Sequence, residues 1–173
     1  MIVIIGKTAS GKDTFLNFLV NHCGVKKKIA VTTRPPRINE KDSEDYIFLG
    51  AKEFKEMEDS ISIKRGYRVK PDTVWWYGFL NIEDSIHNNR TAIITDLKGC
   101  HELIDKYGRE NFIIVYVQTD DELRKKRQVL RGDYNETEWN RRNADDEKIY
   151  TKENLDNIKV DIIINNNDEN KYK

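Results

Sequence analysis

Net charge is the first thing this chain lacks: 30 Lys and Arg side chains balance 30 Asp and Glu. A balanced surface has no long-range field to gather nucleic acid or an anionic membrane, so neither is expected as a partner. Cysteine is nearly absent. Cys23 and Cys100 lack metal-ligand spacing and read as core thiols of a reducing compartment, not as a disulfide framework. Proline occurs three times, and no apolar run approaches the ~20 residues needed to cross a bilayer. No leader-like segment precedes the first motif, so a soluble cytoplasmic protein is the expectation. What is abundant is charge of both signs, 35% of residues against about 25% in ordinary domains. Most of it is expected on solvated helix faces. At 173 residues the chain fits one domain with a substantial core.

Apolar, β-rich runs at 2–5, 29–31, 92–95, 112–117 and 160–164 alternate with helical patterns. Near-continuous runs of this kind suit parallel strands covered on both faces. Phe15, Phe18 and Leu19 mark one intervening helix. Cys100, Leu103, Ile104 and Tyr107 mark another, which Gly108 ends, and Asp120 caps a third over 121–130. The fold class predicted is α/β, a doubly wound parallel sheet. Residues 46–48, 60–69 and 73–79, with a short helix over 51–58, break the rhythm as a small mixed-β insertion. The tail over 165–173 is polar and is expected to fray after its first residues.

The strand Ile2-Val3-Ile4-Ile5 runs into Gly6-Lys7-Thr8-Ala9-Ser10-Gly11-Lys12-Asp13-Thr14. This is the Gly-x-x-x-x-Gly-Lys phosphate loop. Glycines let the backbone approach an anion, and the first N–H groups of the following helix have no intrahelical partner. Lys12 then reaches the outer phosphates. Asp13 stands where a Ser or Thr would give magnesium a hydroxyl, so it either faces away or meets the metal through water. Past the next strand comes Thr32-Thr33-Arg34-Pro35-Pro36-Arg37, then Glu40 and Asp45-Tyr46. Two guanidinium groups on a proline-stiffened loop form a fork for a second phosphate. Further on, Arg127, Arg131 and Arg141-Arg142 flank a polar stretch, the composition of a lid that brings positive charge to a phosphoryl group in transfer. His22, His87 and His101 belong to no motif.

Together with Trp76-Tyr77-Gly78, Asp96-Leu97-Lys98-Gly99 and the late Ile-Ile-Ile-Asn, these motifs follow the order found in guanylate kinases, which the chain resembles from residue 1 to about 168. The resemblance implies a P-loop NTPase fold in a single domain: a core over 1–33 and 80–168, a nucleoside-monophosphate-binding insertion over about 34–79, and a helical lid over about 127–142. It implies transfer of the γ-phosphoryl group from ATP, with Mg²⁺, to GMP or dGMP. By position, Gly6, Lys7, Thr8, Ala9, Ser10, Gly11, Lys12, Asp13 and Thr14 would hold ATP, with Arg127, Arg131 and Asn165. Arg34, Arg37, Tyr46 and Tyr77 would hold the acceptor phosphate, with Glu40 supporting the loop and Asp96 facing the cleft near acceptor or metal. Arg142 would reach between the nucleotides. Lys12, Arg127, Arg131 and Arg142 would be the catalytic set. The resemblance leaves monomer or homodimer open, and a small Asn/Lys-rich member would fit a viral or phage nucleotide-supply enzyme.

Departures from the family pattern gather at the base. Family members carry a serine where this chain has Ala30, and a small hydroxyl residue where it has Phe79. They place a guanine-reading glutamate before Tyr-Tyr-Gly; counting back from Tyr77 lands on Arg68, with Asp72 the nearest acid. Arginine accepts no hydrogen bond, so that route to guanine is lost unless Asp72 substitutes. Trp75, Trp76 and Phe79 are read as core residues ahead of base-stacking ones, since aromatics in a strand are more often core. Another (deoxy)nucleoside monophosphate, a phosphorylated sugar, or a non-catalytic phosphopeptide-binding module are the alternative readings.

Overall fold

The computed structural model describes residues 1–38, 40–132 and 134–168. In chain order its elements are β1 (Ile2–Ile5), α1 (Lys12–Cys23), β2 (Lys26–Lys27), β3 (Ala30–Thr32), β4 (Tyr46–Phe48), α2 (Ala51–Glu56), β5 (Ile61–Lys70) and β6 (Thr73–Leu80). There follow β7 (Thr91–Ile94), α3 (Leu97–Tyr107), β8 (Ile113–Gln118), α4 (Asp121–Leu130), α5 (Glu136–Ile149), α6 (Lys152–Asn157) and β9 (Ile162–Asn165).

Five strands form a parallel sheet in the order β2-β7-β1-β8-β9. Alternation along β1 shows why its sequence is apolar throughout. Val3 and Ile5 face a cluster with Ile93, Leu97, Cys100, Leu103 and Ile114, while Ile4 faces Phe15, Leu16, Val25 and Val117 on the other side. Both faces of the strand are thus covered, as a doubly wound sheet requires. Burying each such side chain contributes about 1.5–3 kcal/mol. The stripe Leu97, Cys100, Leu103 lies on one side of α3, whose N-cap Asp96 accepts from Gly99 N at 2.6 Å. Because β1 is the central strand, the loop that follows it opens at the carboxyl edge of the sheet, where such folds bind ligands.

The second sheet runs β4-β3-β6-β5, with β3 and β4 parallel and the β5–β6 hairpin antiparallel. It carries a strand expected elsewhere. The run at 29–31, expected in the parallel core, falls in β3, which pairs with β4 and β6 instead, and the two-residue β2 takes the edge beside β7. A Lys-Lys edge strand has no apolar periodicity to reveal it; pairing with β7 alone defines it. Cys23 is a second correction. It is exposed at the last residue of α1, while Cys100 is buried. Of the polar tail, residues 166–168 are described and Asn166 is buried; residues 169–173 lie outside the described set. Among the described residues, no helix is long and apolar enough to cross a membrane.

Candidate functional site

The phosphate loop is shaped by close contacts around its two glycines. A Cβ on Gly6 would come within 2.5 Å of Val117 O. Gly11 has φ +89°, and a Cβ there would meet Asn166 Nδ2 at 2.3 Å. The Ser10 carbonyl accepts from Thr119 Oγ1 (2.8 Å), Asn166 Nδ2 (2.9 Å) and Arg127 Nη1 (3.2 Å). Three donors hold this carbonyl on the outside of the loop. Since a trans peptide sets N–H opposite C=O, the Gly11 N–H is turned inward. Arg127 Nη2 also donates to Asn166 O at 2.8 Å, so this arginine braces the loop from α4. Ser10 Oγ is buried with no hydrogen-bond partner among the described residues.

Lys12 folds back over the loop, its Nζ donating to the carbonyls of Gly6 (2.8 Å) and Lys7 (2.9 Å). Burial lowers its pKa. Asp13 and Asp146 act in the opposite sense, and Arg131 and Arg124 reinforce the lowering. Asp13 and Thr14, at the start of α1, are exposed.

Helix α5 closes on the loop from the other side. Asp146 Oδ2 accepts from Thr8 N at 2.7 Å, and Lys7 pairs with Glu147. Arg124 ties them together. Its fully buried side chain donates to Thr8 O (3.0 Å), Asp121 Oδ1 (2.7 Å) and Asn143, stands 3.5 Å from Asp146 Oδ2, and lies 5.3 Å over the Trp139 ring. Arg142, half-buried on α5, donates to Glu138 at 2.6 Å. Arg131 caps the end of α4 and is exposed.

The arginine fork lies beyond β3. Arg34 is 5% exposed; its Nη2 donates to both Glu40 oxygens at 2.8 Å, and its guanidinium lies over the rings of Tyr46 (5.3 Å) and Phe48 (5.7 Å). Arg37 contributes N–H at 2.8 Å and Nη1 at 3.3 Å to the same carboxylate. Burial alone would raise the Glu40 carboxyl, but the bonds from Arg37 N and Arg34 outweigh it and hold the group below its ordinary value. The Tyr46 hydroxyl is pushed up to about 12, mainly by burial and next by Asp13. The ring of Tyr77 is 6.0 Å from that of Tyr46.

One cavity relates the phosphate loop to the loop that carries the arginine pair. A small cavity lined by Thr8, Arg37, Glu138, Trp139 and Arg142 joins the phosphate loop, the fork and α5. The phosphate loop and the arginine loop therefore border one gap.

Asn165 is exposed at the end of β9, and the next residue, Asn166, reaches the loop. Arg68 lies near the hairpin turn, exposed, donating to Pro71 O at 2.6 Å; Asp72 is exposed at the turn itself. The hairpin register instead sets Ile63 opposite Phe79, Arg65 opposite Tyr77 and Tyr67 opposite Trp75. Ile63 and Phe79 are buried in the core, with Ala30 packed against the same cluster. Asp96 accepts from Tyr67 Oη and lies 3.4 Å from Arg65 Nε. Sequence reasoning missed Thr119, Arg124, Asp146, Asn166, Arg65 and Tyr67. Only Arg124 left a trace, as an arginine one helical turn before Arg127.

A family model described as guanylate kinase matches residues 1–173. The chain is 28% identical over 123 residues to the guanylate kinase of Cutibacterium acnes, covering 70% of this chain and 62% of that one. It is 25% identical over 152 residues to that of Fusobacterium nucleatum, covering 86% and 74%. To that of Caldanaerobacter subterraneus it is 28% identical over 131 residues, covering 72% and 61%. The alignments thus span less than two thirds of two of these three relatives. Among solved structures, a guanylate kinase from Anaplasma phagocytophilum superposes with a TM-score of 0.62 at 19% identity, covering 97% of this chain and 77% of that one, which shows a common fold.

Proposed function

Since the chain belongs to the guanylate kinase family, we propose that it is an ATP-dependent nucleoside monophosphate kinase, with GMP and dGMP the first acceptors to test. The observation that supports this reading is the cavity that Thr8 of the phosphate loop shares with Arg37 of the arginine fork and Arg142 of α5.

ATP enters with its phosphates on the inward N–H groups of the loop, and Lys12 leaves the carbonyls of Gly6 and Lys7 to meet them. The acceptor phosphate takes the fork of Arg34 and Arg37, oriented by Glu40, with the hydroxyls of Tyr46 and Tyr77 beside it. Arg142, on the wall between the cradles, offsets charge on the phosphoryl group in transfer. Arg127 acts by bracing the loop. Arg131, at the end of α4, supplies further positive charge near Lys12. Catalysis is positioning and charge neutralisation, with no covalent intermediate.

No group of three His, Cys, Asp or Glu side chains able to hold a metal occurs among the described residues. A magnesium ion brought in with ATP would be held by phosphate oxygens and water, and would supply charge neutralisation on the phosphates. Asp13, exposed at the start of α1, would either meet that ion through water or face away from it. One observation favours a second reading, with another nucleoside monophosphate or a phosphorylated sugar as acceptor: Phe79 is buried in the apolar core with Ala30 packed against it, so neither offers the hydroxyl that the family pattern has at these positions. A coupled ADP-release assay over ribo- and deoxynucleoside monophosphates and ribose bisphosphate tests both. Absence of turnover with every acceptor would sink the kinase reading.

A further inference from the structure

Helix α5 sets a carboxylate and an arginine in the wall of the cavity that borders the phosphate loop. Glu138 and Arg142 stand at i and i+4, so they lie one above the other on the helix, the acid towards its amino end. Both line that cavity together with Thr8 and Arg37. Glu138 Oε1 accepts from Arg142 Nε at 2.6 Å, while the two Nη groups of Arg142 make no hydrogen bond to any described residue. A guanidinium holds its N–H donors in a fixed planar fork. A carboxylate at Nε therefore sets the plane and leaves the Nη pair for two oxygens of a phosphoryl group.

The carboxylate is itself held. Arg141 grips it with two bonds of 2.8 Å, Nε to Oε2 and Nη2 to Oε1, and Arg141 Nη1 donates to Asp145 Oδ2 at 2.9 Å. These bonds, Arg141 first, hold the Glu138 carboxyl down to about 2, so it stays ionised through the neutral range. Arg141 also balances the negative charge that Glu138 brings to the cavity. The same turn of α5 is anchored from below. Trp139 is 6% exposed under the Arg124 guanidinium at 5.3 Å, and Arg124 donates to Thr8 O at 3.0 Å in the phosphate loop. An ion pair on a free helix surface contributes little. This one is fixed at both ends beside the loop that receives the phosphates. We propose that Glu138 is a positioning residue: gripped by Arg141, it holds Arg142 in the orientation whose Nη pair meets the phosphoryl group in transfer. The inference deepens the kinase reading and rests on Arg142 facing that group. It assigns Glu138 to the rate of transfer, not to the affinity for either nucleotide.

The test compares Glu138→Ala, Arg142→Ala and their double variant with the wild type. Glu136→Gln is the control: it removes another acid from the first turn of α5, one that stands 3.9 Å from Lys125 and makes no bond to Arg142. ADP release gives kcat and both KM values with the acceptor the wild type uses best, and circular dichroism gives the melting temperature of each variant. Glu138→Ala should lower kcat by ~10–10²-fold, as a misplaced group at the reacting centre does, with both KM values unchanged. The double variant should be no slower than Arg142→Ala alone, because Glu138 acts only through that arginine. Glu136→Gln should keep the wild-type kcat. Should Glu138→Ala fail to fold, Arg141→Ala frees the same carboxylate and should lower kcat in the same way. Full kcat in Glu138→Ala, or a loss that adds to that of Arg142→Ala, overturns the positioning role and leaves the kinase reading standing. An equal loss in Glu136→Gln, which a helix-stability effect would give, or a raised KM with kcat unchanged, overturns it likewise. A wild type that turns over no acceptor overturns the kinase reading, and the assignment of Glu138 with it.

Discussion

The backbone N–H of Thr8, inside the phosphate loop, donates to the carboxylate of Asp146 on α5 at 2.7 Å. The same carboxylate acts on Lys12. A negative group thus occupies a loop donor and sits near the loop's ammonium, where an incoming phosphate needs both. Asp146→Asn keeps the side-chain size and removes the charge. The dissociation constant for ADP, measured by calorimetry, should fall about fivefold, equivalent to roughly 1 kcal/mol. An unchanged or higher constant would show that the contact does not oppose phosphate.

Lys12→Met should reduce phosphoryl transfer by at least about 10²–10³-fold, the range for loss of a preorganised charge at the reacting centre. The melting temperature should hardly change, because Lys12 contributes only bonds to Gly6 and Lys7 carbonyls. Single-turnover kinetics separates this loss from weaker ATP binding.

Arg34→Lys keeps the charge and loses the two-pronged grip on Glu40. KM for the acceptor should rise by about 10–100-fold, as a charge-assisted bond of about 1.5–3 kcal/mol implies, with KM for ATP unaffected. Equal acceptor KM values would remove the fork from the site.

Arg124 is fully buried, with Asp146 only 13% exposed beside it. Arg124→Ala strands that carboxylate and empties the space under Trp139. Stability to urea should drop by about 3–5 kcal/mol, as when a buried pair loses one member. A change below about 1 kcal/mol would contradict the buried placement.

The Glu138 carboxyl is held down to about 2, chiefly by the hydrogen bond from Arg141 and, against some desolvation, by Arg142. A depressed carboxylate contributes stability that is present above its unfolded value of ~4.3 and is lost as pH falls through the folded one. The contribution of this pairing should therefore vanish between about pH 4.5 and pH 2. Because the group is partly exposed, the effect is modest. Melting curves of Glu138→Gln and wild type should converge at pH 2 and separate above pH 5.

The expected elements and the observed ones agree where local pattern is strong. Helix α4 spans 121–130 with Asp120 at its cap, and β4 spans 46–48, as read from spacing and turn residues. The phosphate loop was legible because glycine, lysine and strand lie within a dozen residues. Local pattern is silent where partners are distant. Counting back from Tyr77 reached Arg68, but the hairpin turns at Pro71-Asp72 and pairs Tyr77 with Arg65. Parity along β9 puts Asn165 outside, while Asn166 reaches the loop from just past the strand. Arginine ordinarily favours the surface, so nothing in composition marks Arg124 for complete burial.

By itself the sequence determined the α/β class, the loop on the central strand and the paired arginines of the fork, since each is written in neighbouring residues whose backbone and charge act locally. Only the tertiary structure decided which side chains meet: Asp146 on Thr8, three donors on the Ser10 carbonyl, Tyr67 on Asp96. The physical reason is that strand register and burial follow from packing across the whole domain, where a shift of one residue turns a side chain to the opposite face.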